Sequence, residues 1–512
     1  MASEVISKSA PVGGWNTRDA LATMSINDAP IMDNWFPNSE GIVTRGGYRT
    51  HTTGGMGGGV VETLFTYAGV AGQKMFGFAN NKIYECTTFN ANATDVTAGS
   101  AITSNRWQGL NLGGFGVVFN GADVPRKYDG SVWSDAVYTG SGLTATTLIQ
   151  ATAYRSRIYI VEKDTMSYWY GATNAITGAL TEVDLSTIFQ RGGTLMAVAT
   201  WTRDSGNGPE DFFVAISSTG EYLIYQGADP GSAAWSIVGR FVMGAPLSRR
   251  CFANVGPELD VIGQDGLIPL TRVLSRGLVD DGSSYAMSDK IQPSFTQAAA
   301  NYGSNFGWAV ILYPLGNYIL VNVPVQNSGT NVTSWQFVVN SVTGAWCRFV
   351  GMNAICWTLF NSRPYFGTAS GTVMQADHGY SDGATGLSVS NGATITYDCK
   401  AAFDNYGARG QLKQFQMVRP LIQANGPISA TLDQQVDFQN TAVTAAISAG
   451  GAGTPWGSPW GSPWGDAQVY TRDWFGTGAI GYYAALRLQV VSKTQRMTFA
   501  AYDVMLERGG FV

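Results

Sequence analysis

Residues 212–225, FFVAISSTGEYLIY, read as two strands joined by a tight turn. An apolar run from Phe212 to Ile216 breaks at Thr219-Gly220 and resumes from Tyr222 to Tyr225, the pattern of a hairpin whose faces are both buried. The theme recurs along the chain. Met75 to Phe78 turns through Asn80-Asn81 into Lys82 to Tyr84, and Gly116 to Phe119 passes Asn120-Gly121 toward Arg126 to Tyr128. Arg157 to Ile160 is a related strand; Leu259 to Ile262 turns at Asp265-Gly266 into Leu267-Ile268. Val310 to Leu312 turns at Gly316-Asn317 into Tyr318 to Leu320, and Tyr365 to Thr368 precedes Gly371 to Met374. A spacing of roughly 40 to 50 residues is that of a four-stranded propeller blade, and predicts about six or seven blades. One such sheet cannot bury both faces alone, so blades stack, with glycine permitting close approach and aromatics filling the outer wedge. A row of β-sandwiches is the alternative, and irregular spacing between Tyr128 and Phe212 leaves room for an insertion.

Beyond Asp377 the rhythm changes. Ser381 to Gly392 is small and polar, the composition of a turn or linker. New alternating strands follow at Phe415 to Arg419 and Ile428 to Leu432, with Tyr483 to Val490 and Thr498 to Leu506 closing the set. This predicts a β-sandwich with one face of each sheet buried. The expected fold is therefore all-β: a propeller over residues 61–380, a carboxy-terminal β-rich platform over 381–512, and an amino-terminal arm over 1–60. Chain ends often lie close together, so the arm is expected to pack on the platform and the second domain to be built from the two termini.

Charged residues make up 13% of the chain, while glycine supplies 64 residues and aromatics 12%. So little charge points to apolar surface covered by subunit contacts. The net charge of −5 speaks against a sequence-reading nucleic-acid binder, which needs a basic face for phosphates. It is compatible with a conduit whose mildly repulsive walls let a polyanion slide. The start, MASEVISKSAPVGGW, has neither the basic region nor the apolar run of a secretory signal. The apolar stretch from Trp308 to Val325 is broken by Pro314, Gly316, Asn317 and Asn322 and reads as a hairpin rather than a membrane span.

Residues 13–48, GGWNTRDALATMSINDAPIMDNWFPNSEGIVTRGGY, are dense in turn residues and aromatics and carry no catalytic grouping. The blocks Gly13 to Asp19, Met32 to Pro37 and Arg45 to Tyr48 resemble the start of tail-nozzle and tail-hub proteins of short-tailed bacteriophages (podoviruses). The likeness continues through Gly244-Ala245-Pro246, Arg249-Arg250 and Gln264 to Leu270. It resumes at Thr343 to Trp346, Asn353-Ala354 and Tyr365 to Val373. The resemblance implies a structural virion protein, a homohexameric tube that retains packaged DNA and conducts it during ejection. Its implied partners are tail adaptor and portal-proximal proteins, fibres or spikes, and double-stranded DNA passing without sequence-specific contact. Its implied place is the virion tail, assembled in the host cytoplasm. In the arm, Trp15, Arg18, Asp19, Trp35 and Phe36 are candidate subunit contacts.

A low-complexity insert, Ala442 to Gly465, ends in WGSPWGSPWG over residues 456–465. Proline excludes helix there, and Trp456, Trp460 and Trp464 present large amphipathic surfaces. They are candidates for gripping a neighbouring subunit, and equally for covering the protein's own sandwich.

Catalytic groupings are not found: there is no P-loop, no GxGxxG opening a helix and no GxSxG elbow. Only His51 and His378 offer imidazole, and the five cysteines, Cys86, Cys251, Cys347, Cys356 and Cys399, lack CxxC spacing, so neither a zinc site nor a disulfide framework is expected. Asp377 and Asp382 flank a loop better read as a turn than a calcium site. No metal, cofactor or enzymatic activity is expected. The alternative function is a propeller that binds or cleaves glycans at a host surface, drawing on carboxylates such as Asp204, Glu210, Asp211, Asp280 and Asp281.

Overall fold

The computed structural model describes residues 3–70, 72–204, 209–276, 285–328, 331–449, 469–471 and 473–511. The recurring hairpins form because their turns carry residues that tolerate left-handed backbone. Asn80 and Asn81 have φ of 48° and 58°, the pair of positive angles that a two-residue hairpin loop demands. They join Gly72–Ala79 to Lys82–Glu85 in antiparallel register. Arg155 and Ser156 do the same between Leu148–Tyr154 and Arg157–Glu162.

These hairpins assemble into a β-propeller. Among the described residues, six sheets of four or more strands are arranged as blades, with inner strands Thr63–Gly69, Gln108–Leu112, Leu148–Tyr154, Leu195–Asp204, Ala309–Tyr313 and Cys356–Phe360. Between the fourth and fifth of these lies a three-stranded sheet, Phe252–Val255, Glu258–Gly263 and Gly266–Pro269, followed by helices Leu270–Arg276 and Gln292–Tyr302. Successive inner strands touch one another except the fourth and fifth, which are bridged by the three-stranded sheet: Leu195–Asp204 meets Glu258–Gly263, and Phe252–Val255 meets Ala309–Tyr313. Cys356–Phe360 meets Thr63–Gly69 to close the circle. The stretch from Tyr128 to Phe212 needs no insertion: it holds the third blade, 148–184, and the first strand of the fourth.

Aromatics fill the spaces between blades. Phe76 lies 4.8 Å from Tyr128 and 5.0 Å from Trp133, joining the first and second blades, and Tyr159 lies 4.8 Å from Phe213 between the third and fourth. Each such pair adds ~0.5–1.5 kcal/mol beyond the area it buries.

The last blade is completed by the amino-terminal arm. Tyr48–Thr50 runs antiparallel to Val373–Ala376, and Asp382–Ala384 pairs parallel to Tyr48–Thr50. Both strands fall outside residues 61–380. A circular sheet array whose final blade borrows a strand from the other end of the chain cannot unroll without breaking that ladder.

The second domain is built from the chain termini. Its first sheet is seven-stranded: Gln411–Ala424 and Met497–Phe511 pair along most of their length, and Glu4–Ser9, Trp35–Pro37 and Ile42–Thr44 of the arm join them. Its second sheet is shared with the propeller. Trp346–Val350 of the fifth blade pairs with Ile31–Asp33, which pairs with Ile395–Lys400, and the order continues through Ala484–Ser492, Ile428–Val436 and Ala445–Ala449. One nine-stranded sheet thus spans both domains. Phe415, Val418, Ile422, Val504 and Leu506 of the first sheet belong to the same buried cluster as Ala430, Leu432, Leu488 and Val490 of the second, which makes the platform a sandwich.

All five cysteines are unpaired and buried. Burial pushes the thiols of Cys251 and Cys356 up to about 12, where they act as small apolar side chains.

Candidate assembly site

Asn34 and Arg45 hold the two domains together. Asn34 interrupts two short strands because its backbone is left-handed, φ 62°, a conformation that asparagine tolerates. Its amide nitrogen donates to the Thr396 carbonyl of the platform at 2.8 Å, and its side-chain oxygen accepts from the Val350 N–H of the fifth blade at 2.8 Å. The same oxygen accepts from Arg45 Nε at 2.8 Å.

Arg45 uses every donor it has. Nη1 donates to the Gly46 carbonyl at 2.9 Å and to Asp382 Oδ1 at 2.9 Å; Nη2 donates to the Val350 carbonyl at 2.8 Å and to Asp382 Oδ2 at 2.6 Å. With Nε on Asn34, the arm, the fifth blade and the closing blade meet on one guanidinium that is 4% exposed. Burial works against this charge, but the Asp382 carboxylate more than offsets it and keeps the guanidinium above its ordinary pKa. The fork-to-fork geometry is one that lysine cannot reproduce. The next residues need the space they leave: a Cβ on Gly47 would overlap the Ser381 carbonyl.

Other blocks of the arm and propeller are also spent on internal contacts. Trp15 is buried, with Nε1 donating to the Pro30 carbonyl at 3.2 Å and its ring 5.6 Å from Phe337. Trp35 is wholly buried against Tyr397, 5.8 Å between centroids. Phe36 is partly buried against Tyr318 and Phe349. Read from the sequence as subunit contacts, Trp15 and Trp35 are packed inside the protein and Phe36 is half-buried, all three spent on contacts within the subunit. Arg18 and Asp19 do sit at the surface, paired with each other, and Arg18 also pairs with Asp289. Trp456, Trp460 and Trp464 lie outside the described residues; the start of their insert is the edge strand Ala445–Ala449.

The surface most suited to a second subunit is the outward face of the seven-stranded sheet. Register places Val5, Met505 and Met417 in one row, and Ser7, Asp503 and Arg419 in another. Arg419 Nε donates to Asp503 Oδ2 at 2.8 Å and its guanidinium lies 5.1 Å from the Trp474 ring. Val5 is 51% exposed and Ile480 56%. Sequence reading passed over these residues because alternation alone does not say which face of a sheet is covered.

His51 is buried with Nε2 donating to the Cys86 carbonyl at 2.8 Å, and burial holds both His51 and His378 below the usual imidazole pKa. Asp382 is occupied by Arg45, and Asp377 accepts from the Tyr313 hydroxyl at 3.0 Å. Among the described residues no cluster of His, Cys, Asp or Glu is arranged to hold a metal ion. Asp211 accepts from the Thr202 hydroxyl at 2.7 Å, Glu210 lies opposite Arg203 in the ladder, and Asp280 and Asp281 lie outside the described residues. No helix of the described residues is long and apolar enough to cross a membrane.

No family model and no curated protein matches the chain. Among solved structures it is similar to YCF48 bound to D1 peptide (10% identity, 66% of this chain and 98% of that one, TM-score 0.38). It is likewise similar to the computationally designed Ika8 protein (10%, 68% and 96%, 0.37) and to the WD40 β-propeller domain of Doa1 (10%, 64% and 96%, 0.40). Likenesses of this size carry no functional argument; the chain is a β-propeller with a second β domain.

Proposed function

We propose that this protein is a structural component of a short-tailed phage tail, a nozzle or hub subunit that closes into a homo-oligomeric ring and lets DNA pass. The observation that carries the reading is the outward platform face, where Val5 stands exposed in one row with Met505 and Met417, and Ile480 stands exposed in another row opposite Gln414. Exposed apolar side chains grouped on one sheet face mark an interaction surface. The resemblance of the chain's residue blocks to tail proteins is what points this surface toward a phage tail. Within the subunit those blocks have internal roles: Arg45 to Gly47 forms the knot, Tyr48 opens the closing strand, and the Gly244 N–H donates to Asp265 Oδ2 at 2.6 Å.

The mechanism is mechanical. A nine-stranded sheet common to propeller and platform, pinned by Arg45, makes each subunit a stiff lever, and the ring opens or closes by rotation at the contacts between subunits. Native mass and electron microscopy of the purified chain test this. A hollow ring of about six subunits is expected, and Ile480→Glu together with Val5→Glu should dissociate it without unfolding the subunit. A stable monomer at micromolar concentration would overturn the reading and favour a glycan-binding propeller.

A further inference from the structure

The propeller has a basic cavity at one end. At the end where the inner strands begin, a cavity of about 410 Å³ is lined by residues that include Arg106, Lys163, Arg249 and Arg250, with Ile149, Met196 and Leu247 as apolar wall. Four cations in one cavity stand against the chain's net charge of −5.

Their partners leave most of that charge uncompensated. Arg106 Nε pairs with Glu62 at 2.9 Å. Arg250 Nη2 donates to Thr63 Oγ1 at 2.7 Å and to the Trp107 carbonyl at 3.0 Å, and Arg249 Nη1 to the Met196 carbonyl at 2.6 Å. Neither Arg249, Arg250 nor Lys163 has a carboxylate within ion-pair distance among the described residues; Asp164 and Glu62 act on the two arginines only from further away. The Arg106 and Arg250 guanidiniums also crowd one ring, 4.3 Å and 5.2 Å from the centroid of Phe306. Like charges brought together in a partly dry cavity are stable only if a counter-charge joins them.

We propose that this cavity binds an acidic peptide segment, a carboxylate side chain flanked by an apolar one. The volume lies within the ~300–1,000 Å³ of ligand sites and is far too small for a duplex. Paired guanidiniums suit a carboxylate, and the apolar wall suits its neighbour. A single nucleic-acid strand needs free aromatic faces for its bases. Here Phe306 is occupied by guanidiniums and Trp308 is buried, with Nε1 on the Tyr302 carbonyl at 2.8 Å. The inference stands independently of how subunits assemble.

The test is fluorescence anisotropy of the full chain with a labelled peptide of alternating Leu and Glu, its Leu and Gln counterpart, and labelled oligo-dT. The Glu peptide is expected to bind about tenfold or more tightly than the Gln peptide, and to weaken as salt is raised. Arg249→Gln should lower affinity about tenfold. Because Arg249 also holds backbone carbonyls, Lys163→Glu is the second variant: its side chain is exposed, so the melting temperature should stay put while the Glu peptide is lost. No binding, equal binding of the Gln peptide, tighter binding of oligo-dT, or full affinity in Lys163→Glu would each overturn the proposal.

Discussion

Replacing Arg45 by Ala is expected to destabilise the protein by about 3–5 kcal/mol, the cost of leaving a buried charge without its partner. The substitution strands Asp382, whose side chain is 11% exposed, and leaves the Val350 and Gly46 carbonyls and the Asn34 side-chain oxygen each short of a donor. At ~2.1 cal/mol/K of unfolding entropy per residue, a chain of 512 residues unfolding as one unit shifts by only about 1 °C per kcal/mol, so calorimetry should show a fall of about 3–5 °C. Arg45→Lys keeps the charge but offers a compact head with three donors in place of five, and should recover only part of the loss. A double variant, Arg45→Met with Asp382→Leu, separates charge from packing. If the damage is an orphaned carboxylate, the double loses less than the sum of the singles. An Arg45→Ala protein that melts with the wild type would show that the closing blade is held by its ladder alone.

The hairpins were legible in the sequence for the same reason that they fold. Asn80-Asn81 and Thr219-Gly220 are turn residues bounded by apolar runs long enough to show their period, and each lies between two paired strands. The arm was not legible in that way. Ile31–Asp33, Trp35–Pro37 and Tyr48–Thr50 are three residues each, too short to display alternation, yet they join two sheets of the platform and the last blade. An aromatic beside glycine looks alike whether it faces a partner or its own core, so Trp15 and Trp35 read as contacts although they are buried. Helix Gln292–Tyr302 was missed because its face is weakly patterned, with only Phe295, Ala298 and Ala299 buried. The Arg45 knot and the basic cavity join residues far apart in the chain, and no local pattern announces such a meeting. What the sequence did offer was scarcity: with 31 Lys and Arg among 512 residues, each basic side chain in a block such as Arg45-Gly46-Gly47 or Arg249-Arg250 is more informative than in an ordinary chain.

Asp260→Asn is expected to stabilise the protein at pH 8 and to leave it nearly unchanged at pH 4. Asp260 lies in Glu258–Gly263, fully buried, and neither carboxylate oxygen has a hydrogen-bond partner among the described residues. Burial first, and the Glu258 charge second, push its pKa up to about 7, with Arg272 opposing. In the unfolded chain the same group titrates near ~3.9. Between those values the native state keeps a proton that the unfolded state has given up, so stability falls as pH rises through this window. It is fully present below about pH 4 and lost once pH passes about 7. At ~1.4 kcal/mol per unit the whole swing is about 4 kcal/mol, and the amide variant, which cannot ionise, escapes it. Carboxylates held low by hydrogen bonds, such as Asp95 at about 2 with Lys82 and Thr97 as donors, act in the opposite sense at lower pH. The informative quantity is therefore the difference between variant and wild type, measured by urea unfolding at pH 4.5, 6 and 8. That difference should grow steadily with pH; a constant offset would mean that Asp260 stays charged, or stays protonated, throughout.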